Sequence, residues 1–274
     1  MTALLGDVIA ALEARYDPAL AESWDAVGLV CGDPAEPVRR VLFAVDPTTA
    51  VVDEVVETGA DLLVTHHPLL LTPVHGVPAD DPRGRLVHRL IRAGAALFVA
   101  HTNADRAPDH GVNDALAAVL GLRNTVPLES AGADPRAGLG RIGQLERPLT
   151  LREFAELAAA VLPVTVGGVR IAGDPERRIA TVAVCGGSGG SLLGAAAAAG
   201  ADVLLTSDVK HHPASDAGET PGPALCDVAH FASEWPWLPH AAEVLRADLP
   251  GRVEVSVSAR RTDPWTHRAG QDAL

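Results

Sequence analysis

Apolar residues recur at helical spacing near the start of the chain. Leu4, Leu5, Val8, Ile9 and Leu12 fall on one face, which predicts an amphipathic helix over 2–15. The pattern then shortens and becomes continuous. VRRVLFAV at 38–45 reads as a buried strand, and 48–58 as a helix with Thr48 or Thr49 as its N-cap and Gly59 as its stop. Strands at 61–65 and 95–100 flank a helix at 83–93, and a helix at 113–120 takes Asn113 as its cap. Residues 123–148 are richer in Gly, Pro and charge and mark a boundary. Beyond them come a helix at 149–161, a strand at 179–184, a helix at 192–199, strands at 203–206 and 224–229, a helix at 241–247 and a strand at 253–257. Short apolar strands alternating with helices predict an α/β fold with mostly parallel sheets.

The two halves of the chain echo one another. GADLLVT at 59–65 matches GADVLLT at 200–206, and VRRV at 38–41 resembles ERRI at 176–179. AHTNAD at 100–105 parallels AHFASE at 229–234: Ala-His, three residues, then a carboxylate, each after an apolar strand. The same elements recur in the same order, as expected of a duplicated unit. We therefore expect two related α/β lobes, 1–125 and 126–274, with a site in the cleft between them and the last elements able to pack back on the first lobe.

Composition narrows the function. The 274 residues are 47% hydrophobic and 21% charged, an ordinary globular balance. The net charge of −13 repels phosphate backbones, and 3% aromatic content provides few stacking platforms, so nucleic acid is not an expected partner. Cys31, Cys185 and Cys226 are odd in number and form no C-x-x-C pair, which disfavours a disulfide framework or a cysteine–zinc site. The N-terminus lacks a basic n-region, and Gly and Asp interrupt the apolar runs, so neither a signal peptide nor a membrane span is expected. A cytoplasmic protein is the reading that fits.

The histidines carry the chemistry. His66 and His67 directly follow the strand DLLVT; His101 and Asp105 follow AALFVA; His230 and Glu234 follow ALCDVA. Ligands of open α/β sheets bind at the carboxyl ends of strands, where all three groups lie. Imidazole and carboxylate together suit Zn, Mn, Fe, Co or Ni rather than Ca or Mg. Five donors exceed the three that a mononuclear catalytic zinc takes. They suit two ions roughly 3.5–4 Å apart sharing a carboxylate, with Asp105 or Glu234 as the bridge. Against this stands the plainer reading that a histidine after a strand is a loop residue.

At this level of detail the chain resembles the Nif-three-like dinuclear metal protein family, often labelled GTP cyclohydrolase type 2 homologues. The matching segments are ESWDAVGL at 22–29, THHPLL at 65–70, HTNAD at 101–105, GVND at 111–114, GRIG at 140–143, DVKHH at 208–212 and HFASE at 230–234. The resemblance implies metal ligation by His66, His67, Asp105, His230 and Glu234, two divalent transition-metal ions per chain, and a ring-shaped homohexamer. The chain matches the short form, without an inserted central domain. It departs from the family at Ser207 and His110, where glycine is usual.

Other residues carry paired readings. His101 is a general acid–base group near the metals, an orienting residue, or a buried histidine bonded to backbone. The glycine-rich run CGGSGG at 185–190, with Ser188 and Gly189, is an anion cradle for substrate or a structural tight turn. Asp208, Lys210, His211 and His212 either touch substrate or form a solvated loop. Trp24 and Asp25 close one side of the site, or are a buried anchor and a capping acid. The leading expectation is a metal-dependent hydrolase of a small nucleotide-like substrate, with GTP ring opening as its most specific form and a phosphoesterase as its rival. The alternative outside enzymes is a metal-binding, metal-delivery or interaction protein.

Overall fold

The computed structural model describes residues 2–219 and 221–269. In chain order the elements are β1 (Ala3–Leu4), α1 (Leu5–Arg15), β2 (Gly28–Cys31), β3 (Pro37–Val38), β4 (Arg40–Ala44), α2 (Thr49–Thr58), β5 (Leu62–Thr65), α3 (Pro82–Arg92), β6 (Ala96–Val99) and α4 (Thr102–Asp105). Then come α5 (Val112–Val119), β7 (Arg123–Ser130), β8 (Gly138–Thr150), α6 (Leu151–Val161), β9 (Arg170–Ala172), β10 (Arg178–Val184), α7 (Leu193–Ala198), β11 (Val203–Ser207), α8 (His211–Glu219), β12 (Ala224–Val228) and α9 (His230–Glu234). The last two are α10 (Trp237–Asp248) and β13 (Glu254–Val257). The chain divides into two units. The first holds the residues up to Gly111 together with Trp237–Thr262; the second holds Val112–Pro236 and the chain from Asp263.

The first unit is built on a five-stranded sheet ordered β13-β4-β5-β6-β2, parallel except for the edge strand β2. β4, β5 and β6 are buried along almost their whole length, as strands covered on both faces must be. One layer of its core joins Leu42, Leu63 and Leu97 of the sheet to Val51, Val52 and Val55 of α2 and Leu86, Val87 and Leu90 of α3. Each such side chain, fully buried, contributes about 1.5–3 kcal/mol. Thr48 caps α2 by accepting the Val51 N–H, and Gly59 ends it in a left-handed conformation (φ 61°).

The second unit has a six-stranded sheet ordered β7-β8-β10-β11-β12-β9, in which β10, β11 and β12 are parallel and β7, β8 and β9 antiparallel. One core cluster packs Phe154, Ala155 and Ala158 of α6 and Leu116 of α5 against Val182, Val184, Val203 and Leu205.

The internal repeat has a physical cause. Asp61 Oδ2 accepts the N–H groups of Arg39 and Arg40 at 2.8 and 2.9 Å, where β4 begins. Asp202 Oδ2 accepts those of Ala180 and Thr181 at 2.8 and 2.9 Å in β10. The preceding glycines, Gly59 and Gly200, both have positive φ, 61° and 75°. Gly-Ala-Asp is thus a helix stop followed by a carboxylate that fixes the neighbouring parallel strand.

Two local expectations are corrected. The segment 123–148, expected to be a boundary, forms the long hairpin β7–β8. Its glycines serve strand contact: a Cβ on Gly143 would lie 2.8 Å from Thr125 Cγ2 and 2.9 Å from the Arg123 carbonyl oxygen. Asn113 is not a cap; it lies inside α5, and its Oδ1 accepts the Gly186 N–H at 2.9 Å.

Candidate metal centre

In the first unit, the parallel pairing of β4 with β5 continues past the strand ends. His66 N–H donates to the Ala44 carbonyl at 3.2 Å and His67 N–H to that of Val45 at 2.9 Å. His66 is fully buried, and its Nδ1 lies 2.9 Å from the Ala100 carbonyl oxygen. A carbonyl only accepts, so Nδ1 carries the proton and Nε2 the lone pair. His67 Nδ1 lies 2.7 Å from Asp46 Oδ1, just past the end of β4.

His101 follows β6. Its Nδ1 lies 2.8 Å from Asp25 Oδ1, while Asp25 Oδ2 accepts the Thr102 N–H at 3.0 Å and the Thr102 hydroxyl. Burial pushes the Asp25 carboxyl up, but hydrogen bonds from His101 and Thr102 outweigh it and hold the group well below the usual carboxylate range. Asp25 is thus an ionised acceptor that keeps the proton of His101 on Nδ1. The short helix α4 turns the chain back, and Asp105 Oδ1 comes 3.7 Å from His66 Nε2. Ring nitrogens of His66, His67 and His101 all lie within 4.8 Å of one another, a spacing that can hold a metal ion. Behind them, the buried Trp237 ring lies 5.5 Å from that of His66, tilted 59° to it, and donates its Nε1–H to the Tyr16 hydroxyl at 3.1 Å.

The second unit offers a matching pair. His230 Nδ1 lies 2.6 Å from Asp208 Oδ2, and its Nε2 faces Glu234 Oε1 at 2.8 Å across one turn of α9. Asp208 sits at positive φ (57°), rare for a residue with a side chain. Glu234 is buried. Gly187 is shaped around this pair: a Cβ there would lie 2.6 Å from Glu234 Oε1 and 3.1 Å from His230 Nε2.

The glycine-rich turn is stitched into the protein. The N–H groups of Gly186, Gly187 and Gly189 donate to Asn113 Oδ1, Ser233 Oγ and Thr206 Oγ1 at 2.8–2.9 Å. Ser188 is exposed at its tip. Lys210, His211 and His212 are exposed beyond β11. Trp24 is 58% exposed, with its ring 6.0 Å from that of His101.

The structure therefore groups His66, His67, His101 and Asp105 in the first unit and His230 and Glu234 in the second. Sequence reasoning missed Asp46 as a partner of His67. It took Asp25 for a cleft wall or a capping acid, and Asp208 for a substrate contact or part of a solvated loop. Asp46 and Asp208 did leave a signal, a carboxylate within two residues of the end of a parallel strand.

The donor set fits divalent transition metals. Each of the four imidazoles has Nδ1 held by an oxygen acceptor and presents Nε2, the arrangement usual for metal-bound histidine. Asp105 Oδ1 lies near His66 Nε2 in the first unit, and Glu234 Oε1 near His230 Nε2 in the second.

Comparison with known proteins gives the family and the fold. A model of the Duf34/NIF3 (NGG1p interacting factor 3) family matches residues 3–264. A Streptomyces coelicolor protein named GTP cyclohydrolase 1 type 2 homolog is 53% identical over 267 residues, covering 96% of this chain and 93% of its own. Among solved structures, Staphylococcus aureus hypothetical protein SA1388 superposes with a TM-score of 0.89 at 29% identity, over 98% of this chain and 100% of its own. A Bacillus cereus protein related to NIF3 gives 0.87 at 25% identity, again over 98% and 100%.

Proposed function

The chain belongs to the Duf34/NIF3 family, and from that premise we propose that it is a dinuclear divalent-metal hydrolase acting on a small nucleotide-like substrate. His66, His67, Asp105, His230 and Glu234 hold the two ions. The observation that carries this reading is the uniform presentation of Nε2 by four histidines, each fixed at Nδ1 by a separate acceptor. Bound ions supply Lewis acidity and lower the pKa of water at the site.

The protein's own groups do the rest. Asp46, Asp25 and Asp208 hold His67, His101 and His230 in one tautomer. His101 is the acid–base group. With its Nδ1–H bonded to the ionised Asp25, its Nε2 can take a proton from water and return it to a leaving group. Ser188 and Lys210, both exposed, serve as substrate contacts. Lys210 is the only lysine of the chain and a cation for an anionic substrate. The names of the relatives make GTP the first substrate to try. The assembly in this reading is the hexameric ring.

The test is turnover of protein reconstituted with Zn, Mn, Fe or Co on GTP and on a phosphoester panel. His66→Ala and Glu234→Gln should abolish it together with metal binding. His101→Gln should lower kcat by about 10²–10⁴-fold while metal content stays; loss of metal in His101→Gln would make His101 a ligand instead. Metal-loaded protein with no turnover on any substrate would favour metal delivery over hydrolysis.

A further inference from the structure

The chain after β13 runs across the first unit as a strap tied down at three residues. Ser258 is buried; its N–H donates to the Phe43 carbonyl at 2.8 Å and its hydroxyl to Glu54 Oε2 of α2 at 2.6 Å. Arg260 N–H donates back to Ser258 Oγ at 3.1 Å, and its guanidinium pairs with Glu57 at 3.1 Å and with Glu54 at 3.8 Å. Two residues later, the Thr262 hydroxyl donates to Asp46 Oδ2.

Asp46 is the carboxylate that holds His67. Its Oδ1 meets His67 Nδ1 at 2.7 Å and its Oδ2 meets Thr262, so each oxygen has a fixed partner on a different segment. An ionised carboxylate only accepts hydrogen bonds. The threonine hydroxyl and the imidazole Nδ1 must then both be donors, which leaves the lone pair of His67 on Nε2. Without Thr262, the carboxylate is anchored on one side only and can turn about its χ angles.

We propose that Thr262 is a positioning residue for the metal centre: through Asp46 it fixes the tautomer of His67 and the direction in which Nε2 points. The inference rests on the metal-binding reading above and adds to it a contribution from the C-terminal strap, 216 residues from Asp46 along the chain. Partners of metal-bound histidines typically contribute about 10–100-fold in metal affinity.

The experiment compares wild type, Thr262→Val, which keeps the shape and removes the hydroxyl, and Thr262→Ser, which keeps the hydroxyl. Two readouts are taken on the full chain. ¹⁵N-histidine NMR of metal-free protein at neutral pH reports the tautomer of His67. Titration with Co(II), followed by visible absorption, reports affinity and ligand geometry. The expected result is a single Nδ1–H tautomer in wild type and Thr262→Ser, mixed tautomers in Thr262→Val, and about 10-fold or more weaker Co(II) binding in Thr262→Val alone. A Thr262→Val protein with the wild-type tautomer and wild-type affinity overturns the proposal. So does a Thr262→Ser protein as impaired as Thr262→Val, which would mean that packing, not the hydroxyl, matters. Wild type that binds no Co(II) would sink the metal reading, while the tautomer comparison would still decide the role of Thr262.

Discussion

Whether a histidine can bind metal here is decided by what holds its other nitrogen. His66 relies on a neutral carbonyl, whereas His67, His101 and His230 rely on Asp46, Asp25 and Asp208. Asp25→Asn places an amide N–H donor or a weaker acceptor against groups that now meet a carboxylate. It should lower kcat about 10²–10⁴-fold, acting through His101, with the fold intact and Co(II) affinity near that of wild type. Gly187→Ala should act from the other unit. Its Cβ would collide with Glu234 Oε1, and its φ of +67° costs an L-residue about 1–2 kcal/mol. We expect lower thermal stability and lower metal content together. Cys226 gives a pH prediction away from the site. Burial pushes its thiol up to about 12. The unfolded chain therefore loses this proton first, near the ordinary thiol value of ~8.5. Stability contributed at Cys226 falls as pH rises above that value, and the folded thiol should resist iodoacetamide at mildly alkaline pH, as peptide mass mapping would show. At this scale the proposed ligands stood out as candidates because His66 and His67 directly follow an apolar strand and each His-x-x-x-carboxylate segment begins just past one. The residues that hold His67 and His101 did not, because Asp46 and Asp25 lie 21 and 76 residues from their histidines.

Strands and helices were legible where one chemical rule dominated. The buried strands of both sheets read as apolar runs, and Gly59 and Gly200 mark real helix ends. Asp61 and Asp202, the third residues of the repeated Gly-Ala-Asp, each satisfy two strand N–H groups. Asp61→Ala and Asp202→Ala should each cost about 1.5–3 kcal/mol, the value of hydrogen bonds to a charged group, measured by urea unfolding of the full chain. Thr150→Ala should cost about 1 kcal/mol by removing the capping box that Thr150 forms with Glu153. The hairpin β7–β8 escaped the apolar pattern. β7 is an edge strand with many exposed positions and a proline, Pro127, and β8 is interrupted by Gly140 and Gly143. α8 escaped because none of its residues is buried, so no apolar face marks it. α9 is five residues long, too short for periodicity to show, although its His-x-x-x-Glu spacing was readable as chemistry.

The whole chain is a duplicated α/β design in which each unit ends its central parallel strands in metal-type donors. The first unit supplies three imidazoles and a carboxylate, the second an imidazole and a carboxylate. No helix among the described residues is long and apolar enough to cross a membrane. The net charge of −13 disfavours nucleic-acid backbones. Division of labour between the units is the central claim, and metal stoichiometry tests it most directly. The measurement is elemental analysis of untagged protein, as purified and after reconstitution with Zn, Mn and Fe, beside the His67→Ala/His230→Ala double variant, which removes one donor from each unit. The account predicts about two equivalents of divalent transition metal per chain in wild type and a loss of both in the variant. Wild type that takes up no metal, or a double variant that keeps two equivalents, would contradict it.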